Sequence, residues 1–244
     1  MSFSEAPLIV SFSSVSKFLT RLLEQHAPPS TLIVCSTREF FLEGLLIELR
    51  QESRELTVSS QTIDTPNLEN SLLSRTLHLI ARSKSISLAF TPTLPHLRAY
   101  LATYVHPVIV PDEHITYEKP GTHVSTLAIL NSLTLHRPTS DFSAQGLSRT
   151  FALLVDVAAR EGMQLLVTEG DLAPEDEEMQ TDGDGASQTP RDPWSEQVPL
   201  LNGSIRFGGE ERLWAGRTVE VRKVVSRWFR FETMDSDGNA GRIG

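Results

Sequence analysis

Two apolar runs, set a helix length apart, constrain this chain more than any other feature. The first is Val124–Leu133 and the second is Met163–Thr168. Short apolar runs bounded by turn signals read as buried strands. Between them lie a polar loop, His136–Ser143, and a helical stretch from about Ala144 to Gly162. Strand, helix, strand in that order is a βαβ unit, whose strands run parallel. A parallel sheet covered by helices is therefore expected.

The rest of the chain agrees with that frame. Pro7–Val10, Thr31–Cys35 and Ile86–Phe90 read as further strands. Phe18, Leu19, Leu22 and Leu23 recur at helical spacing after Lys17, and this helix should stop before Pro28-Pro29. Phe40, Phe41, Leu45, Leu46 and Leu49 read as one face of a second helix, followed by a polar stretch from Gln51 to Asn70. Leu72, Leu73, Leu77 and Ile80 suggest a third helix, and Pro95 opens a fourth, where proline is tolerated in the first turn. Val105–Thr122 reads as loop. Ser204–Phe207, Thr218–Val225 and Trp228–Phe231 read as a C-terminal meander, an antiparallel edge added to the parallel sheet.

Composition narrows the class only after the charge is located. The net charge is −9 over 244 residues, but Glu169–Asp192 alone holds nine acids against Arg191. Outside that segment the chain is nearly neutral, so no global argument about basic partners holds. The acidic segment is too poor in apolar residues to offset the entropy of ordering it, and it reads as a disordered insertion at about 170–193. Residues 1–234 are expected to form a single domain, with 235–244 a flexible tail. No apolar run approaches the length needed to span a bilayer. The start lacks the basic and apolar regions of a secretory signal. With a single cysteine, Cys35, an internal disulfide is ruled out, and an intracellular protein is expected. Cys35 lies inside an apolar run and reads as a small core residue. The seven histidines show no metal-ligand spacing.

The order of elements resembles the core ATPase domain of the RecA-like recombinases and their paralogues. In that family the first strand runs into a phosphate-binding loop, G-x-x-x-x-G-K-[ST], whose glycines let backbone amides approach the phosphates. Here the matching stretch is Ser11-Phe12-Ser13-Ser14-Val15-Ser16-Lys17-Phe18. Lys17 falls at the family's offset. Ser11 and Ser16 stand where the glycines would be, and Phe18 replaces the hydroxyl that would hold magnesium. The acidic residue expected after the second strand is matched by Thr37. Leu127–Leu133 resembles the strand that ends in Asp-Ser, but the aspartate is Asn131, which brings no charge to a metal.

The resemblance implies a RecA-like, P-loop-NTPase-type sheet, mostly parallel and flanked by helices, with C-terminal antiparallel strands. It implies a vestigial nucleotide site at Ser16, Lys17 and Asn131, no bound cofactor and no catalysis. Short paralogues of this kind include the Shu-complex subunits and the SWIM-domain-associated recombinase paralogue. On that reading the chain is a nuclear assembly factor in homologous-recombination DNA repair, its partner another RecA-like subunit or a recombinase. Elongator's RecA-like ring subunits, which serve tRNA modification in the cytoplasm, are an alternative, and an atypical NTPase is another.

For Lys17 the simpler reading is a solvated residue in a first helical turn, and for Asn131 the polar end of a buried strand. Arg217, Arg222, Lys223, Arg227 and Arg230 with Trp228 read as a strand pair able to contact a nucleic acid or a partner. Against that stands a charged, protective sheet edge. The acidic segment begins where the family's DNA-binding loop would be, so any DNA contact is expected to be indirect or weak.

Overall fold

A computed structural model of the chain describes residues 6–25, 27–59, 77–106, 125–170, 192–201, 217–234 and 240–242. Its centre is a seven-stranded sheet in the order β3-β2-β4-β5-β1-β8-β9. The strands are β1 (Leu8–Ser11), β2 (Ala27–Val34), β3 (Ile86–Phe90), β4 (Ser125–Leu130), β5 (Gln164–Thr168), β8 (Arg230–Met234) and β9 (Ala240–Arg242). All neighbours pair in parallel except β9, which is antiparallel to β8. A separate antiparallel pair joins β6 (Gln197–Pro199) to β7 (Thr218–Glu220).

The helices are α1 (Val15–Gln25), α2 (Arg38–Ser59), α3 (Leu77–Ser83), α4 (Leu94–Ala102), α5 (Ser132–His136), α6 (Ala144–Arg160) and α7 (Val221–Val225). Their distribution follows from the strand order. From β1 to β2 to β3 the chain moves one way across the sheet, and from β3 to β4 to β5 it moves back. Parallel crossovers are almost always right-handed, so reversing direction puts the connecting helix on the opposite face.

Alternation along the strands builds two cores. Ile9, Ile33, Leu127, Ile129, Leu165 and Val167 point to the face covered by α4, α6 and α7. Val10, Leu32, Val34, Ala128, Leu130 and Leu166 point to the face that carries α1 and α2. Both faces of β4 are buried, which is why its sequence is a continuous apolar run rather than an alternating one. Each fully buried aliphatic side chain in these layers contributes about 1.5–3 kcal/mol relative to exposure.

Several expectations change. Among the described residues the expected meander does not form: β8 runs parallel to β1, and in the main sheet the described antiparallel addition is β9. Thr218–Val225 is not one strand: it splits into β7 and the short helix α7. Val221, Val224 and Val225 recur at helical spacing and are all buried, so packing overrides the strand preference of a valine-rich run. The second helix continues through the polar stretch to Ser59. Its buried face holds Phe41 and Leu49, while Phe40 and Leu46 are exposed. In the described part of the third helix, Leu77 and Ile80 are also exposed. β2 begins earlier than expected, at Ala27, and its pairing with β4 is irregular between Ala27 and Thr31. Pro28 and Pro29, which have no amide to give to a ladder, lie in that gap. The acidic insertion from 171 to 191, Ser204–Phe207, most of the expected Val105–Thr122 loop and most of the expected tail lie outside the described residues.

Candidate functional site

In an open parallel sheet, ligands bind beyond the carboxyl ends of the strands where the strand order reverses direction. Here that edge carries Phe12–Ser14 after β1, Cys35–Thr37 after β2, Asn131 after β4 and Glu169-Gly170 after β5. The strand ends are staggered and linked, with the Cys35 amide donating to the Leu130 carbonyl and the Asn131 amide to the Thr168 carbonyl, each at 2.9 Å.

The start of α1 decides what this edge can bind. A helix opens with four amides that lack intrahelical partners, and these are the groups a phosphate would use. Ser14 caps the helix: its Oγ accepts from the Lys17 amide at 3.3 Å, and its carbonyl accepts from the Phe18 amide at 3.3 Å. The amides of the first two helical residues go to a carboxylate from another helix. Val15 donates to Glu48 Oε2 at 3.2 Å and Ser16 to Glu48 Oε1 at 2.7 Å. One turn further along α2, Glu52 Oε1 accepts from Ser16 Oγ at 2.6 Å. The amides of Val15, Ser16 and Lys17, the first three of the helix proper, are therefore all engaged within the chain.

The other residues that the resemblance assigns to a nucleotide site are likewise engaged within the chain. Lys17 Nζ donates to Ser13 Oγ at 2.9 Å, on the exposed side of the helix. Phe18, where the resemblance expects a hydroxyl, is buried, its ring 5.3 Å from that of Phe12. What remains between Phe12, Phe18, Leu130 and Gly170 is a cavity of about 10 Å³, room for about one water. Thr37 caps α2 through its Oγ1, which accepts from the Phe40 amide at 3.2 Å.

Asn131 is buried with a left-handed backbone, φ 65°, and its Oδ1 accepts from the Gly170 amide at 2.7 Å. Asparagine is among the few side chains that adopt this conformation readily. Directly after it, Glu169 seals the start of α5. Its carboxylate accepts from the amides of Leu133 and Thr134 at 2.6 and 3.1 Å and from the hydroxyls of Ser132 and Thr134 at 3.2 and 3.0 Å. Burial pushes the Glu169 carboxyl up from its ordinary range, and these four hydrogen bonds oppose the shift.

The C-terminal basic set does not lie on one strand pair. Arg217 precedes β7, Arg222 and Lys223 lie on α7, Arg227 and Trp228 follow it in a turn, and Arg230 opens β8. Arg222 pairs with Asp192 at 2.8 Å and lies over the Phe231 ring, 4.2 Å from its centroid. Arg227 stacks on Trp228 at 5.0 Å. Arg217, Lys223, Arg227 and Arg230 are exposed.

Two features escaped the sequence reading. Glu48 and Glu52 sit at the spacing that puts two side chains on one helix face, the same face as Phe41 and Leu45. Acids on an apolar stripe were a legible signal. The second feature is a polar network at the border of the core, half-buried at Arg98 and Asp141 and buried at Thr150 and His136. Arg98 pairs with Asp141 at 2.6 Å and donates to Thr150 Oγ1 at 3.0 and 3.1 Å. The ring of His136, fully buried, bonds the Ser132 carbonyl through Nδ1 at 2.7 Å and Thr150 Oγ1 through Nε2 at 3.0 Å. A carbonyl only accepts, so Nδ1 carries the proton and Nε2 accepts from the threonine. Nothing in local sequence brings these four residues together.

Among the described residues no three His, Cys, Asp or Glu side chains converge on a possible metal position, and no helix is long and apolar enough to cross a membrane. Fold and site together define an α/β protein with a six-stranded parallel sheet between helical layers, its strand-end edge closed by its own carboxylates. A profile of the SPAC22G7.03-like family matches residues 5–172, well over half of the chain, and the chain belongs to that family. The matched region holds β1 to β5 and both carboxylate-sealed helices. No curated protein and no solved structure matches the chain significantly.

Proposed function

We propose that this chain is a catalytically silent RecA-like paralogue that works by docking to other proteins, as an assembly factor for a recombinase in homologous-recombination repair in the nucleus. The observation that carries the silent site is the engagement of the first three helical amides of α1, two of them by Glu48. A phosphate arriving there would have to displace a charge-assisted contact and enter a space about the size of one water.

The RecA-like reading is supported by the order of elements. The first strand lies inside a parallel sheet and leads into a helix start, and the fourth strand ends in Asn131 where the family has an acid. The role in recombination rests on the resemblance to the short recombinase paralogues. DNA is not required for it, since Arg222 is already engaged by Asp192 and Phe231.

Titration with labelled ATP and magnesium tests the silent site: no saturable binding is expected, and binding with turnover would sink the reading. Affinity purification from the native cell followed by mass spectrometry tests the role. Recombination proteins should co-purify. Elongator subunits in their place would move the chain to the tRNA-modification branch.

A further inference from the structure

We infer that Glu48 and Glu52 act as an internal strap that does permanently, from within the chain, what a bound phosphate would do transiently at the start of α1. The inference rests on reading the β1–α1 junction as a disused phosphate loop, and it concerns how the conformation of that junction is governed. The strap crosses between helices. Glu48 takes two backbone amides of α1, and Glu52 takes the hydroxyl of the buried Ser16. A ligand in such a loop orders the first turn of the helix only while it is bound. A carboxylate on α2 is present at a fixed position at all times, so ordering of α1 is independent of any nucleotide.

The geometry makes the strap specific. Glu48 and Glu52 lie one turn apart on α2, and both reach the same two-residue start of α1. Only a side chain of glutamate length bridges the gap in this way; an aspartate at 48 is one methylene too short. The face formed by α1 and α2 is therefore held in one arrangement, and a partner reading it meets the same surface whether or not nucleotide is present.

Hydrogen exchange resolved along the full chain tests this. In the wild type, protection of the Val15 and Ser16 amides should be unchanged by Mg-ATP or by inorganic phosphate. In Glu48→Ala those amides should exchange about ten- to a hundredfold faster, the effect of losing hydrogen bonds to a charged group. Amides of β4 and α6 should keep wild-type rates. Glu48→Asp should resemble Glu48→Ala, and Glu52→Gln should show a smaller change confined to the same turn. Unchanged exchange at Val15 and Ser16 in Glu48→Ala would overturn the strap, and so would an acceleration spread evenly over the whole sheet. The two failures are separable. Saturable ATP binding by the wild type sinks the silent-site reading whatever the exchange shows. Unchanged exchange in the variant removes the strap and leaves the ATP result untouched.

Discussion

The side-chain oxygen of Asn131 lies 2.7 Å from the amide nitrogen of Gly170, so the ends of β4 and β5 are joined by a single residue that itself holds a left-handed backbone. Asn131→Ala loses the hydrogen bond and forces an alanine into that conformation, at a combined cost of about 2–3 kcal/mol in chemical denaturation. Asn131→Gly keeps the backbone and loses only the bond, about 1 kcal/mol. Asn131→Asp installs the acid that the RecA-like resemblance expects there and keeps an acceptor for Gly170. It should be close to wild type in stability and gain no affinity for Mg-ATP, because the amides of α1 stay engaged. A gain of saturable binding would contradict this.

Gly146 and Gly170 are expected to reject alanine for reasons of space. A methyl at Gly146 would collide with the backbone of Asp141, which is pinned by its ion pair with Arg98. Glycine-to-alanine changes inside helices normally stabilise by up to about 1 kcal/mol; here the sign should reverse. At Gly170 the methyl would come within 2.5 Å of Val15 Cγ2. Overpacking of this kind costs about 1–3 kcal/mol. Thermal melts should rank Gly146→Ala below Gly170→Ala, since a side chain yields more easily than backbone. Adding Val15→Ala should return part of the loss at Gly170 alone.

His136 predicts an acid-sensitive fold. Burial holds its imidazole below the ordinary value, opposed by the bond to the Ser132 carbonyl, with the Arg98 cation adding to the depression and Asp141 opposing it. The unfolded chain takes up the proton near the usual value of about 6.5 while the folded chain resists it, so the unfolded state binds more protons. Stability from this group is fully present above about pH 6.5 and declines as pH falls, by at most about 1.4 kcal/mol per unit. Glu169 acts in the opposite sense, because a raised carboxyl favours the folded state as pH falls, and it does so equally in a His136 variant. Denaturation midpoints from about pH 7 to 5 should therefore fall more gently in His136→Gln than in wild type. Parallel profiles would remove the histidine from the account.

Cys35 should be inert in the native protein. Burial pushes its thiol up to about 12, the Thr91 hydroxyl 3.7 Å away opposing the shift. The thiolate is the reactive form, so an aromatic disulfide reagent near pH 8 should titrate no thiol in the folded chain and one per chain in denaturant. Rapid labelling under native conditions would show that β2 opens readily at its end.

The strands buried on both faces were the most legible part of this fold. Leu127–Leu130 and Leu165–Val167 are apolar at every position because each strand is covered twice, and no other local structure suits so short a run. The carboxylate strap was less visible, since it depends on a contact between Ser16 and Glu48 from different helices. The C-terminal region misled for a definite reason: Val219, Val221, Val224 and Val225 satisfy strand and helix patterns alike, and only the packing of α7 on α6 decides between them. Asn131 was read as the polar end of a buried strand and stands there, but its left-handed backbone and its bond to Gly170 leave no mark in the sequence. The network of Arg98, Asp141, Thr150 and His136 joins three helices and a loop, a long-range relation that local periodicity does not encode.

The place of β1 also has a consequence for how the chain comes to be folded. It precedes the other described strands, yet it is flanked by β5 and β8, the latter more than 200 residues further along. During synthesis β1 leaves the ribosome with neither neighbour yet present. It gains one when Gln164–Thr168 emerges and the other only with Arg230–Met234. Pairings this distant in sequence close slowly, and until the last one forms an apolar strand keeps a bare edge. The finished molecule pairs that strand along both edges; the growing chain carries it unprotected until Arg230–Met234 emerges, the period in which a chaperone would be of most use.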